Sequence, residues 1–530
     1  MLSLSVSLLI TIAVIPIWVI GRYLKDDRQL RRFPSPSIAA FTPLWSMWQS
    51  WKGTQTIEIC KAHERLGPVV RIAPNHVSFT DPRAYKDIYG HGAPLVKDDF
   101  YAHIAEGNPS VAQATEKAVH SAKRRALAHV FSAKEITAME PRVVATTQNL
   151  CAAITTKLSG RSVGQHDQTY AVISNDRSVI FDVRPWINMF TYDAISSMVF
   201  TNEYGFLKRG NDLCSSTDGA GRKKEVHAMD SFHSASRYNT ITAQLPLPLY
   251  KLCRRFLFWL HGNKAGEYFG GMSRSQVQRR LQNQPDHPDL FSSFPTRPTE
   301  KRPDPMEEKE LVAECATMLD AGNDTTQTTL VNCIFHLAFN PDKQQKLYQA
   351  LMSALNIDGI ERGEEKEFYV PNAKQIQDIP YLRAVLEESW RCRPPVARGL
   401  PRRTTGQGTT IAGHFIPPGV TVSAPIYALH RNEALFRRPL DFIPERWIPD
   451  EEFGKDEQEA KNLKEYCIPF SLGPRACIGR NLAYMEVSIV VAALVLNFEW
   501  ELADKSLDMP MIERFNYNPK ELMVKGKVRG

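Results

Sequence analysis

The stretch Pro469–Gly479 reads PFSLGPRACIG and sets Phe470, Gly473, Arg475 and Gly479 at fixed offsets around one cysteine, Cys477. Directly after it runs NLAYMEVSIVVAALVLNFEW (481–500), which reads as a long buried helix. Cys477 therefore stands at the mouth of a helix, where unpaired backbone N–H groups favour negative charge. Arg475 adds a cation two residues before the sulfur. Gly473 and Gly479 permit a tight turn and close approach of the backbone to a flat ligand. A thiolate held this way suits a soft metal. The other eight cysteines (Cys60, Cys151, Cys214, Cys253, Cys315, Cys333, Cys392 and Cys467) show no C-x-x-C spacing. Zinc ribbons and iron–sulfur sites are therefore not suggested, and these residues read as small buried hydrophobes in a reducing compartment.

The pattern F-x-x-G-x-R-x-C-x-G resembles the haem-binding loop of cytochromes P450. That resemblance implies haem b, with Cys477 as the axial ligand of iron and Phe470, Gly473, Arg475 and Gly479 around it. A second constellation agrees. From about Glu307 the chain reads as a helix stopped by Pro341, and its middle carries Ala321-Gly322-Asn323-Asp324-Thr325-Thr326. Gly, Asp and clustered Thr are poor helix-interior choices on propensity, and Thr hydroxyls can back-bond to the carbonyl one turn earlier. The segment resembles the oxygen-binding stretch of P450s. The resemblance assigns Thr325 as the hydroxyl that hydrogen-bonds dioxygen at the iron and Asp324 as the acid that relays protons from solvent.

A third constellation is scaffolding. DIPYLRAVLEESWRCRPP (378–395) predicts a helix from Pro380, stopped by Pro394-Pro395, with Glu388 and Arg391 three apart on one face. With Pro444-Glu445-Arg446-Trp447 it resembles the family's buried triad, implying Glu388, Arg391 and Arg446. Haem carries two propionates, for which Arg475, His120, Arg124 and Arg402 are the expected partners. His120 stands where the family usually has Trp, as it does in the fungal branch.

Residues 2–20 carry no charge and are long enough to span hydrocarbon, and Arg22, Lys25, Arg28, Arg31 and Arg32 follow against Asp26 and Asp27. The expectation is a single-pass anchor (2–20) in the endoplasmic reticulum membrane with the catalytic body in the cytosol. A basic, Pro-containing hinge and lead-in (21–66) and one catalytic domain (67–530) follow. The fold class expected is mainly α: the P450 fold with a small β-rich lobe, whose strands are signalled at Val69–Ala73, Val77–Phe79 and Thr410–Val422. The Asp289–Asp304 stretch reads as a surface loop, and EEFGKDEQEAKNLKEY (451–466) as a solvated insertion.

A net charge of +7 is too mild and dispersed for nucleic acid. It suits an anionic membrane surface and an acidic electron donor. No G-x-G-x-x-G fingerprint is present, so the resemblance implies electrons from NADPH through cytochrome P450 reductase, sometimes assisted by cytochrome b5. GPVVRIAPNHVSFTDPRAYKDIYG and FDVRPWINMFTYDAISSMVF resemble fungal P450s grouped around benzoate para-hydroxylase and pisatin demethylase. The implied activity is insertion of one oxygen atom from O2 into a mainly apolar small molecule of secondary metabolism. The alternatives are a benzoate-like aromatic acid, desaturation or ring closure. By family position the pocket draws on Phe100–Val111, 205–260, Ala316–Thr325, Val396–Leu400 and Met509–Ile512. Phe256–Leu260 reads either as a bilayer-dipping lip or as a core helix.

Overall fold

One helix of 32 residues, Glu308–Phe339, organises the molecule. Glu308 and Glu310 in its first turn meet the positive end of the helix dipole, and Pro341 opens the next helix (Pro341–Leu355). From Thr326 to Ala338 every side chain is buried, so this stretch has protein on all sides. It packs on Arg184–Phe200, itself buried from Trp186 onward. Gly322 makes the approach possible, because a Cβ there would lie 2.7 Å from Ile195 Cδ1. Thr191 Oγ1 donates to Asn323 Oδ1 at 2.6 Å across the same contact. His261–Gln282 and Arg480–Asn497 complete the packing around the central helix.

The computed structural model describes residues 19–105, 108–164, 167, 171–173, 178–257, 260–296, 305–357, 368–449, 451–506 and 508–529. The anchor expected at residues 2–20 lies outside the described residues but for its last two. Among the described residues, one helix is long and apolar enough to cross a membrane, Arg480–Asn497, and two-thirds of it is buried in the core. The apolar run after Cys477 ends there and continues as the strand Phe498–Leu502, where alternation of buried and exposed residues takes over.

The β lobe is a five-stranded sheet in the order 69–73, 76–79, 421–423, 402–404, 95–97. Thr421–Ser423 runs parallel to His76–Ser78, joining segments far apart in the chain. Helices Leu44–Lys52 and Gln55–Leu66, in the expected lead-in, pack on its first strand. A second sheet, in the order 498–502, 523–528, 179–182, 171–173, closes the carboxyl-terminal side. The hairpin Met511–Glu513/Tyr517–Pro519 reaches back toward the central helix.

Candidate active site

The Cys477 loop is held by its own backbone. Cys477 N donates to Phe470 O at 2.9 Å and Ala476 N to Gly473 O at 3.0 Å. Gly473 has φ +67°, and a Cβ there would meet Tyr89 O at 2.2 Å, so no other residue fits without rearrangement. Gly479 differs from the sequence expectation. Its φ is −84° and a Cβ would clear Phe131 and the Cys477 sulfur by 3.8 and 4.0 Å, so no turn geometry demands glycine there. Phe470 packs edge-on to Trp390 at 5.1 Å and against Tyr484 at 5.3 Å, and Trp390 Nε1 donates to Thr329 Oγ1 at 3.0 Å. The loop is thereby tied to the central helix. Cys477 keeps an accessible side chain although protein surrounds it. Burial raises its thiol pKa, while the Gly479 N–H and the charges of Arg124 and Arg480 act the other way.

Five cationic or donor groups from four segments gather at this loop: Lys97; His120 and Arg124, on one helix; Arg402; and Arg475. Arg124 Nη1 donates to Ala476 O at 2.9 Å, and Arg475 Nη1 to Ala114 O at 2.6 Å. Arg402 donates to Pro401 O at 3.1 Å and lies over the Tyr89 ring. Burial first, and then the charges of Arg475, Arg124, Lys97 and Arg402, lower His120 to about 4. Arg475 is lowered to about 10 by burial and then by Arg402, and Lys97 is lowered well below its usual range by burial, Arg402 and Arg475. Aspartate and glutamate contribute to none of these three shifts. Cations that depress one another without a carboxylate among them call for an anion, and two propionates beside an accessible thiol match that donor set. The residues fit a haem. Lys97, on the edge strand Leu95–Lys97, is the member that sequence reading passed over, because no motif marks it.

Along the central helix, Ala313, Thr317, Asp320, Ala321 and Thr325 are half-buried or exposed. Thr325 Oγ1 donates to Ala321 O at 2.7 Å, the back-bond expected of a mid-helix threonine. Asp324 is 2 % exposed. Its Oδ2 accepts from Asn516 Nδ2 at 2.8 Å and Asn518 Nδ2 at 2.9 Å, and His233 Nε2 lies 3.3 Å from Oδ1. Burial alone would raise the carboxyl, but His233 and the two amides outweigh it and bring Asp324 down to about 2.

A family model, cytochrome P450, matches residues 36–525. The chain is a cytochrome P450. Benzoate 4-monooxygenase bphA of Aspergillus niger is 29% identical over 535 residues, covering 98% of this chain and 96% of its own length. The cytochrome P450 monooxygenase efuB of Hormonema carpetanum is 31% identical over 90% of this chain and 87% of its own. The monooxygenase ORF11 of Penicillium roqueforti is 30% identical, with 92% of each chain covered. This P450 is a haem-thiolate monooxygenase, an oxidoreductase that takes its electrons from a redox partner.

The P450's scaffold charges lie behind the Cys477 loop. Arg391 Nε and Nη2 bind both Glu388 oxygens at 2.8 Å, and Arg446 Nε joins Glu388 Oε1 at 3.0 Å, all three residues being fully buried. Arg391 also donates to the carbonyls of His430, Pro439 and Asp441. The supposed insertion at 451–466 is instead part of this cluster. Glu457–Tyr466 is a helix capped by Asp456, and Glu459, 3 % exposed, pairs with Arg446 and Arg437. Sequence reading saw only the charge density of the segment. The helical spacing that turns Glu459 inward and Glu457 outward was the available signal. The Asp289–Asp304 stretch is corrected likewise: Asp289 is buried, caps the turn Leu290–Ser293 and pairs with Arg280 at 2.7 Å. Residues 297–304 lie outside the described residues.

Of the five segments expected to line the pocket, the first and fourth meet at one place, beside a ring three residues beyond the last. Phe100 stacks on Phe515, four residues beyond the start of the last hairpin's first strand, with Arg398 over both rings. From 205–260 the helix Ala228–Thr242 supplies His233, whereas Phe206 and Leu207 are core residues. Phe258 and Trp259 lie outside the described residues. The adjoining helix Leu247–Phe256 buries only Tyr250.

Proposed function

We propose that this P450 hydroxylates a mainly apolar small molecule of fungal secondary metabolism, with Cys477 as axial thiolate and Asp324–Thr325 handling protons. Haem held by Cys477 supplies oxygen activation, because an anionic sulfur pushes electron density onto iron. The chain's own residues do the rest. Arg475, Arg124, Arg402 and His120, with Lys97, seat the propionates. Phe470, Gly473 and Gly479 shape the loop around the sulfur. Thr325 presents a hydroxyl to the reacting face, and its back-bond to Ala321 fixes where that hydroxyl points. Asp324 is reached from the helix Ala228–Thr242 through His233, whose side chain is 12% exposed, so the proton route runs by way of that imidazole. The observation that carries this reading is an accessible Cys477 thiol beside a cluster of cations that no carboxylate answers.

Electrons come from NADPH through cytochrome P450 reductase, with cytochrome b5 as an assistant. Residues 2–20 anchor the chain once in the endoplasmic reticulum membrane, and residues 67–530 form the cytosolic catalytic domain. Exposed Leu44, Trp48 and Trp51, together with Leu249, Leu252 and Phe256, support a membrane-facing edge. Benzoate 4-monooxygenase, by name, keeps a second reading in view: hydroxylation of an aromatic acid.

The test compares metabolites by accurate mass from host cells with the gene intact and deleted. A precursor that accumulates, with a missing product one oxygen heavier, supports hydroxylation or epoxidation. A difference of two hydrogens or a methyl group replaces it with desaturation, ring closure or demethylation. An unchanged metabolite profile overturns the reading.

A further inference from the structure

The amino-terminal two-thirds of the central helix carries three acids between Glu314 and Asp324, and two of them are matched. Glu314, 1 % exposed, accepts the Val111 N–H at 3.0 Å and pairs with Lys123 at 3.0 Å. Asp324 is matched by His233, Asn516 and Asn518, and the charges of Arg184 and Arg514 reach it as well. Asp320 lies between them, one turn before Asp324. Among the described residues it has no hydrogen bond or ion pair, and the one charge acting on it is that of Asp324. It stays half-buried although protein surrounds it, so its carboxyl lines an internal space rather than the outer surface.

Burial, and then Asp324, raise Asp320 to about 7. An acid so placed is half ionised near neutrality with no partner in the fold, a costly arrangement for a buried charge. A structural role would be satisfied by any apolar residue there. Arg398, the cation among the rings of Phe100 and Phe515, acts by its charge on Glu513.

We propose that Asp320 is a specificity residue whose carboxylate receives a cationic nitrogen on an otherwise apolar substrate. The proposal rests on the monooxygenase reading above and narrows its substrate class to bulky amines. A carboxylate substrate is disfavoured at this wall, since like charges in a water-poor pocket repel.

The experiment uses full-length haem-loaded protein in detergent. Phenylalkyl trimethylammonium ions of increasing chain length are titrated in parallel with their tert-butyl carbon isosteres and the matching phenylalkyl carboxylates, binding being read by equilibrium dialysis. In wild type at least one ammonium ion binds tenfold or more tightly than its isostere. Asp320→Asn removes that preference while isostere binding stays within about twofold, and Asp320→Glu retains part of it. The proposal is overturned if no ammonium ion outbinds its isostere, if carboxylates bind better, or if Asp320→Asn keeps the preference. The spectrum of the reduced, carbon monoxide-treated protein separates the two levels. Loss of the thiolate band in wild type sinks the monooxygenase reading, whereas an intact band without cation preference removes only the role of Asp320.

Discussion

Glu388 and Asp320 are both carboxylates on helices that cross the core, and their surroundings are opposite. Glu388 accepts from two guanidiniums, the Ile443 N–H and the Trp447 indole N–H. Burial alone would raise it, yet Arg391, then Arg446, hold it below the usual carboxylate range. Asp320 has none of this and is pushed up to about 7. The Glu388 cluster answers its charges from within the chain, whereas Asp320 has no partner among the described residues. A fold can lock what must never move and leave incomplete what a ligand is to finish, because a buried charge is tolerable only with a partner.

The largest way to break this contrast is to unpair the Glu388 cluster. Glu388→Gln strands Arg391 and Arg446 and costs about 3–5 kcal/mol. Cells expressing it should yield little protein with a thiolate carbon monoxide spectrum, and a normal yield would remove the cluster from the scaffold. Next comes Thr325→Ala on the central helix, which keeps the fold and is expected to lower product formation on the order of 10²-fold, with peroxide released instead. Unchanged coupling of NADPH oxidation to product would end the role of the hydroxyl. Glu459→Ala comes third, removing one of the two carboxylates on Arg446 at about 1–3 kcal/mol. Glu457→Ala, on the exposed face of the same helix, should stay within about 0.5 kcal/mol by chemical denaturation.

The smallest effect sharpens the comparison by pH. The folded pKa of Asp320 is raised above its unfolded value, so between about 4 and about 7 the folded state holds more protons and stability falls as pH rises. Asp320→Asn should therefore raise the melting temperature of ligand-free enzyme by a few degrees at pH 8 and leave it unchanged near pH 4. A gain of equal size at both pH values would mean that the carboxyl does not titrate in that window.

Much of the site was legible because its chemistry is local. Cys477, Arg475 and Gly473 lie within five residues, Asp324 and Thr325 are adjacent, and Glu388 and Arg391 share a helix face by spacing alone. What escaped depends on partners far along the chain. Lys97 joins the cationic cluster through strand pairing with Arg402. Glu459 reaches Arg446 only because a helix forms in a stretch that composition marked as solvated. Nothing near Asp324 in the chain announces its partners His233, Asn516 and Asn518, which come from segments 91, 192 and 194 residues away.

By itself, then, the sequence determined the family and the helix that bears Asp324 and Thr325, and it singled out Cys477 and that pair as the site to propose. Each is written in short-range spacing, and spacing sets which side chains share a turn or a face. Only the tertiary structure decided which buried charges are matched and which is left over. Charge satisfaction depends on three-dimensional neighbours, so Glu314, Asp320 and Asp324 look alike in the chain and differ once the segments around them have packed.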